Sequence, residues 1–272
     1  MRIIYQWIAG SYSHVTYKKN KNFFSKKITK VQWFNTYEDV WANIDDKSIA
    51  IMPFENSYVW NIWKNYAQYI EMMDKLDVIW EVMVKAEHCL VSKEKSIEDV
   101  KHVYSAPDVL AQCRNFIKKH KFSTHEYLDT AMAAEAISLW IKENGAAIAP
   151  KLSAIEYKLN VLAENIQDVD DNITRFLIVA QKWNNIEFTK KQNKVSLHFT
   201  LTDWFKDFNH VFRIFDVYKA TVVKMNLYPT WEKAFEQSIC MDVYFWDHIS
   251  EAQDCINKIW EYCREMNILW IY

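Results

Sequence analysis

Asp171-Asn172-Ile173-Thr174-Arg175-Phe176, followed at once by Leu177-Ile178-Val179-Ala180, is the stretch on which the reading of this chain turns. The residues from Phe176 to Ala180 are apolar without alternation, which predicts a short strand covered on both faces, as in an α/β domain. The polar residues ahead of it then stand at the mouth of a strand, where side chains can be aimed at a ligand. An arginine beside a threonine and an asparagine suits a carboxylate, because the guanidinium fork binds both carboxylate oxygens. The same six residues also fit a polar turn entering a strand, with Arg175 in an internal ion pair.

Outward from this stretch, strands are expected at residues 3–5, 48–53, 80–84, 100–104 and 146–149, with helical spacing at 37–44, 66–73, 108–113, 131–140 and 152–157. Pro107 suits a first helical turn and Asp129 an N-cap. Strands alternating with helices predict an α/β region with a largely parallel sheet, whose ligand groups belong at the C-terminal ends of strands. Five polar clusters fall at such places, at 10–13, 55–57, 105–112, 129–130 and 172–176. His88 and Cys89 follow a strand and read as core. Residues 183–193 are polar and aperiodic, a linker. Beyond it, the order β-α-β-β-α-β over 194–272 predicts a ferredoxin-like module.

Half of the 272 residues are hydrophobic and a quarter charged, the composition of a globular chain. A net charge of −2 gives no electrostatic case for nucleic acid or an anionic membrane. With no leader-like apolar start and no run near the roughly 18 apolar residues of a membrane helix, a cytoplasmic location is expected. Five cysteines, without Cys-x-x-Cys spacing, read as reduced thiols, and eight scattered histidines make no metal pattern. No metal or cofactor is expected. One pair of counts is abnormal: 2 glycines and 13 tryptophans. Average usage predicts roughly 19 glycines in a chain of this length.

The clusters, in this order, resemble the prephenate dehydratases. The motifs are Gly10-Ser11-Tyr12-Ser13, Pro53-Phe54-Glu55-Asn56-Ser57, Ser105-Ala106-Pro107 with Leu110-Ala111-Gln112-Cys113, Asp129-Thr130-Ala131, Leu159-Asn160-Val161-Leu162 and Asn172-Ile173-Thr174-Arg175-Phe176. The resemblance implies a catalytic region at 1–182, made of two α/β subdomains around a cleft like a periplasmic binding protein, and a regulatory ACT-like domain at 194–272. It implies cofactor-free conversion of prephenate to phenylpyruvate, with Thr174 catalytic. Ser11, Ser13, Glu55, Asn56, Ser57, Ser105, Gln112, Asp129, Asn172, Arg175 and Phe176 are the implied substrate-binding residues. Phe208, Asn226 and Pro229 fall where the family binds phenylalanine, although only the proline of the family's second effector motif is kept. A homodimer or homotetramer is implied. Arogenate dehydratase, whose substrate has an amino group in place of the keto oxygen, and a ligand-binding relative without turnover remain alternatives.

The chain departs from the family pattern chiefly at glycines. Trp7, Trp60, Trp80, Trp270, Lys158, Lys206 and Lys219 stand where the family usually has glycine, and Ala106 where it usually has histidine. Trp7 and Trp60 lie in the loops that hold Ser11 and Asn56. A diverged relative is one explanation; UGA codons decoded as glycine in the source organism are the other, which leaves the lysines unexplained.

Overall fold

The computed structural model describes residues 1–24, 28–58, 60–141, 143–182, 193–230, 233–234, 236–246 and 249–271. The chain divides into two compact units, Met1–Met72 with Glu81–Trp183, and Met73–Trp80 with Asn184–Tyr272. The expected linker at 183–193 lies outside the described residues except for Asn193.

The path begins with β1 (Arg2–Gln6), α1 (Tyr12–Lys19), β2 (Lys30–Phe34), α2 (Tyr37–Ala42), β3 (Ser48–Asn56), β4 (Trp60–Asn61), α3 (Trp63–Met72) and β5 (Leu76–Lys85). It continues through β6 (Cys89–Ser92), β7 (His102–Ser105), α4 (Pro107–Gln112), α5 (Arg114–His120), β8 (Ser123–Glu126), α6 (Thr130–Leu139), β9 (Gly145–Ala149), α7 (Lys151–Tyr157) and β10 (Asn160–Ala163), and returns in β11 (Ile173–Gln181). One sheet has the order β2-β1-β3-β11-β5 with β4 beside β3; the other has the order β10-β6-β9-β7-β8. This is the two-subdomain α/β architecture of periplasmic binding proteins. The chain passes between the sheets twice, after β5 and after β10.

β11 lies between β3 and β5 in the sheet, and successive residues of its apolar run are buried on both faces. Phe176, Leu177, Ile178, Val179 and Ala180 are each at most 1% exposed. Burying each of the larger four contributes about 1.5–3 kcal/mol. The expected parallel arrangement holds for only part of each sheet. β1 runs parallel to β2 and β3, and β7 to β8 and β9, but β11 and β4 run antiparallel to β3, and β6 antiparallel to β9 and β10. A chain that crosses to a second sheet and comes back re-enters the first from the far end. Asn172 therefore precedes β11 and Thr174 lies near its start instead of closing a strand, at the end where β3 finishes, with Thr174 paired opposite Asn56.

The second unit holds β12 (Lys194–Leu201), α8 (Trp204–Val217), β13 (Thr221–Pro229), β14 (Gln237–Tyr244), α9 (Ala252–Trp260) and β15 (Cys263–Ile271). Its antiparallel sheet has the order β13-β14-β12-β15, the ferredoxin-like βαββαβ arrangement. Phe199, Phe215, Met241 and Ile256 fill the core between sheet and helices. The last strand runs nine residues, Cys263–Ile271.

Scarce glycine leaves a mark on the backbone. Trp7, Lys158, Lys219 and Trp246 adopt φ of 75°, 55°, 51° and 42°, the left-handed region where a Cβ crowds the following carbonyl. Trp7 follows β1 and donates its N–H to Phe34 O at 2.9 Å, so the turn is fixed by the sheet. Gly10 in the same turn has φ 91°, and a Cβ there would lie 2.7 Å from Ser153 Oγ. Trp80 and Trp270 lie within β5 and β15, and Lys206 within α8. The Trp60 side chain lies outside the description. Trp7→Ala and Trp7→Gly remove the same indole contacts, but only the alanine keeps the left-handed penalty. The glycine variant is expected to be the more stable by about 1 kcal/mol in urea unfolding; equal stabilities would show that the turn relaxes without strain.

Candidate active site

Side-chain amides meet where the chain passes between the two sheets of the first unit. Asn56, the last residue of β3, donates from Nδ2 to Asn172 Oδ1 at 2.6 Å and to Thr174 Oγ1 at 2.9 Å. Asn172 Nδ2 donates to Gln112 Oε1, at the end of α4, at 2.7 Å. Gln112 Oε1 also faces His88 Nε2 at 3.0 Å, and His88 Nδ1 faces the Tyr12 hydroxyl at 2.8 Å. Asn172 and His88 are buried. Backbone bonds hold the two crossings together: Ala86 N–H to Asn172 O at 2.8 Å and Ile166 N–H to His88 O at 3.1 Å. Burial lowers the His88 pKa below its ordinary value, so its imidazole is neutral at pH 7. Burial likewise raises the Tyr12 phenol well above its usual range.

The other expected residues divide between this network and the scaffold. Ser57 Oγ donates to Asp171 O and accepts from Ile173 N–H, both at 2.9 Å, which clasps the turn into β11. Ser11 caps α1, and Ser13 is buried in that helix's first turn. The Ser105 hydroxyl donates to Ile148 O at 2.6 Å. Asp129 caps α6 by accepting from Ala131 and Met132 N–H, and burial raises its pKa. Phe176 is core. Arg175, 4% exposed, lies 3.7 Å from Glu55 and 3.7 Å from Glu81 through Nε. Tyr66 donates a short hydrogen bond to Glu55. Adjacent strand residues point to opposite faces. Thr174 thus joins the amide network, while Arg175 faces the two acids. Among the described residues, no group of three His, Cys, Asp or Glu side chains is placed to hold a metal, and no helix is long and apolar enough to cross a membrane.

The family model described as "Prephenate dehydratase" matches residues 3–184. The chain belongs to the prephenate dehydratase family. It is 31% identical over 201 residues to the prephenate dehydratase of Methanocaldococcus jannaschii, covering 74% of this chain and 72% of that one. It is 35% identical over 205 residues to arogenate dehydratase 2 of Petunia hybrida, covering 75% of this chain and 50% of the relative, so the match spans half the length of the plant protein. The crystal structure of prephenate dehydratase in complex with L-Phe from Arthrobacter aurescens superposes with a TM-score of 0.85 at 19% identity, covering 100% of this chain and 89% of the other, which shows a shared fold.

His88, which the sequence reads as core, and Tyr12 and Glu81 are the members of this candidate site that sequence reasoning did not assign to it. His88 draws its partners from 76 residues before it and 24 after, and no local spacing announces that. Glu81 sits on β5, and its distance to Arg175 marks it.

Arg175→Met keeps most of the buried stem and removes the charge between Glu55 and Glu81. The expected loss of stability is about 3 kcal/mol, partly restored by adding Glu81→Gln. A loss below about 1 kcal/mol, with only a raised KM, would instead make Arg175 a free receptor for a substrate carboxylate.

Proposed function

We propose that the chain converts prephenate to phenylpyruvate, with Thr174 as the catalytic residue and Asn56, Gln112 and Asn172 as the amides that orient it and the substrate. One observation carries the reading. Thr174 Oγ1 accepts from Asn56 Nδ2 at 2.9 Å, and no acceptor among the described residues takes its own proton. That proton is available to a ligand's oxygen. In the reaction the bond between the ring and its carboxylate breaks and carbon dioxide leaves. The freed electron pair enters the ring and expels the hydroxyl at the opposite carbon, which takes up a proton and departs as water. A threonine hydroxyl at its ordinary pKa is a poor acid, so Thr174 supports the departing oxygen by a hydrogen bond, and the proton that completes the water comes ultimately from solvent. Aromatisation supplies most of the driving force, so positioning and modest charge stabilisation suffice. Ser11 and Ser13 flank Tyr12 and Ser57 follows Asn56; these hydroxyls bind the substrate. Glu55, Ser105, Asp129, Arg175 and Phe176 serve the site through charge, capping and packing.

The second unit serves as an ACT-like regulatory and dimerising domain in a cytoplasmic homodimer or homotetramer, with L-phenylalanine, the ligand of the Arthrobacter structure, as its effector. Of the residues expected to bind it, Phe208 packs between Trp204 and Phe212 at ring distances of 5.4 and 5.0 Å, and Asn226 and Pro229 lie on β13. The identity to the petunia protein favours arogenate as a second reading; the ratio of kcat/KM for prephenate to that for arogenate separates the two. Thr174→Ala is expected to lower kcat for phenylpyruvate formation by about 100-fold or more, with Thr174→Ser retaining most of it. Full activity in the alanine variant would overturn the assignment.

A further inference from the structure

We infer that His88 is a positioning residue that sets the direction of every hydrogen bond from Tyr12 to Thr174, and through that direction leaves the Thr174 proton free. The inference rests on the dehydratase reading. The chain of contacts runs Tyr12, His88, Gln112, Asn172, Asn56, Thr174, with separations of 2.8, 3.0, 2.7, 2.6 and 2.9 Å. A side-chain amide presents donors on one side and acceptors on the other, so reversing one member reverses its neighbours.

With the proton of His88 on Nε2, the ring donates to Gln112 Oε1 and accepts the Tyr12 hydroxyl at Nδ1. Gln112 Oε1 then takes a second bond, from Asn172. Asn172 Oδ1 takes one from Asn56, and Asn56 gives its other N–H to Thr174. At that end Asn56 Oδ1 is held by the Tyr58 N–H at 2.9 Å. With the proton on Nδ1, the bare Nε2 would face Gln112 Oε1, two acceptors 3.0 Å apart. Relief would require Gln112, Asn172 and Asn56 to turn over together. Asn56 would then present an oxygen to Thr174, capture its proton, and set an NH2 against the Tyr58 N–H. One arrangement equips Thr174 to donate to a leaving hydroxyl; the other consumes that donor.

The test compares His88→Leu, His88→Gln and Tyr12→Phe with the unaltered chain. His88→Leu is expected to lower kcat for prephenate about 100-fold with KM little changed. His88→Gln, whose amide N–H can take the place of Nε2–H, should recover most of that loss. Nitrogen NMR of the folded protein should show the Nε2–H tautomer at His88, with Nδ1–H gaining population in Tyr12→Phe. Equal losses in the leucine and glutamine variants, a change in KM alone, or an Nδ1–H tautomer in the unaltered chain would overturn the inference. If the unaltered chain makes no phenylpyruvate, the dehydratase reading fails, while the tautomer still decides the direction of the chain of bonds.

A separate observation carries a second inference. Two bulky indoles, Trp7 and Trp246, occupy left-handed backbone at φ 75° and 42° in a chain of 272 residues with 2 glycines and 13 tryptophans. We infer that both positions are UGA codons decoded as glycine in the source cell, so that the native protein carries glycine there. Peptide mass spectrometry of protein isolated from the source should find glycine at 7 and 246. Tryptophan at both, or UGG codons in the gene, would overturn this.

Discussion

The first unit has two crossings between its sheets, and each ends in a buried polar side chain, His88 and Asn172, that burial obliges to find partners. His88 ends the outward passage and Asn172 ends the return; Gln112 reaches them from the end of α4 and Asn56 from the end of β3. An unmatched buried amide costs about 1–3 kcal/mol. The sheets therefore meet in an arrangement that satisfies all four groups at once. The same requirement places Thr174, because its only described partner, Asn56, is committed on its other N–H to Asn172. Structural satisfaction of the amides thus also sets where the Thr174 hydroxyl stands.

How much of this can be read from the residues depends on where each one's partners lie. β3, β9 and β11 are legible because each is an unbroken apolar run with buried faces. β2 and β8 are not: most of their residues are exposed, and polar edge strands have no pattern that separates them from loops. Asn56, Gln112, Asn172 and Thr174 were expected together through their motifs, and they do join in one network. Arg175 shows that residue type alone leaves the partner open. Its guanidinium suits a carboxylate, and the carboxylates of Glu55 and Glu81 lie 3.7 Å from its Nε.

The left-handed positions make a related point about backbone. Asn144 and Asn165 tolerate φ of 56° and 54° because a short polar side chain can bond locally. Lys158 ends α7 in the left-handed conformation that elsewhere calls for glycine. The fold demands these turns whatever side chain is present, since the sheets on either side fix the direction of the chain. Strain at such sites is a property of the residue placed there, not of the architecture.

A relay of amides also suits the chemistry better than a cluster of acids would. The substrate arrives with two negative charges, and a further ionised carboxylate near the leaving oxygen would oppose both binding and departure. Amides orient a hydroxyl without bringing net charge, and they do not titrate in the physiological range. Burial favours the neutral form of both titratable rings in the series, raising the pKa of the Tyr12 phenol and lowering that of the His88 imidazole. Even if the imidazole were protonated, Nε2–H would still face Gln112; the Tyr12 hydroxyl need only turn toward Glu87 O, 3.1 Å away. The direction of bonding at Thr174 is therefore insulated from acidification on the histidine side. What it is not insulated from is loss of the ring itself, since no other group among the described residues sits at Gln112 Oε1 opposite Asn172.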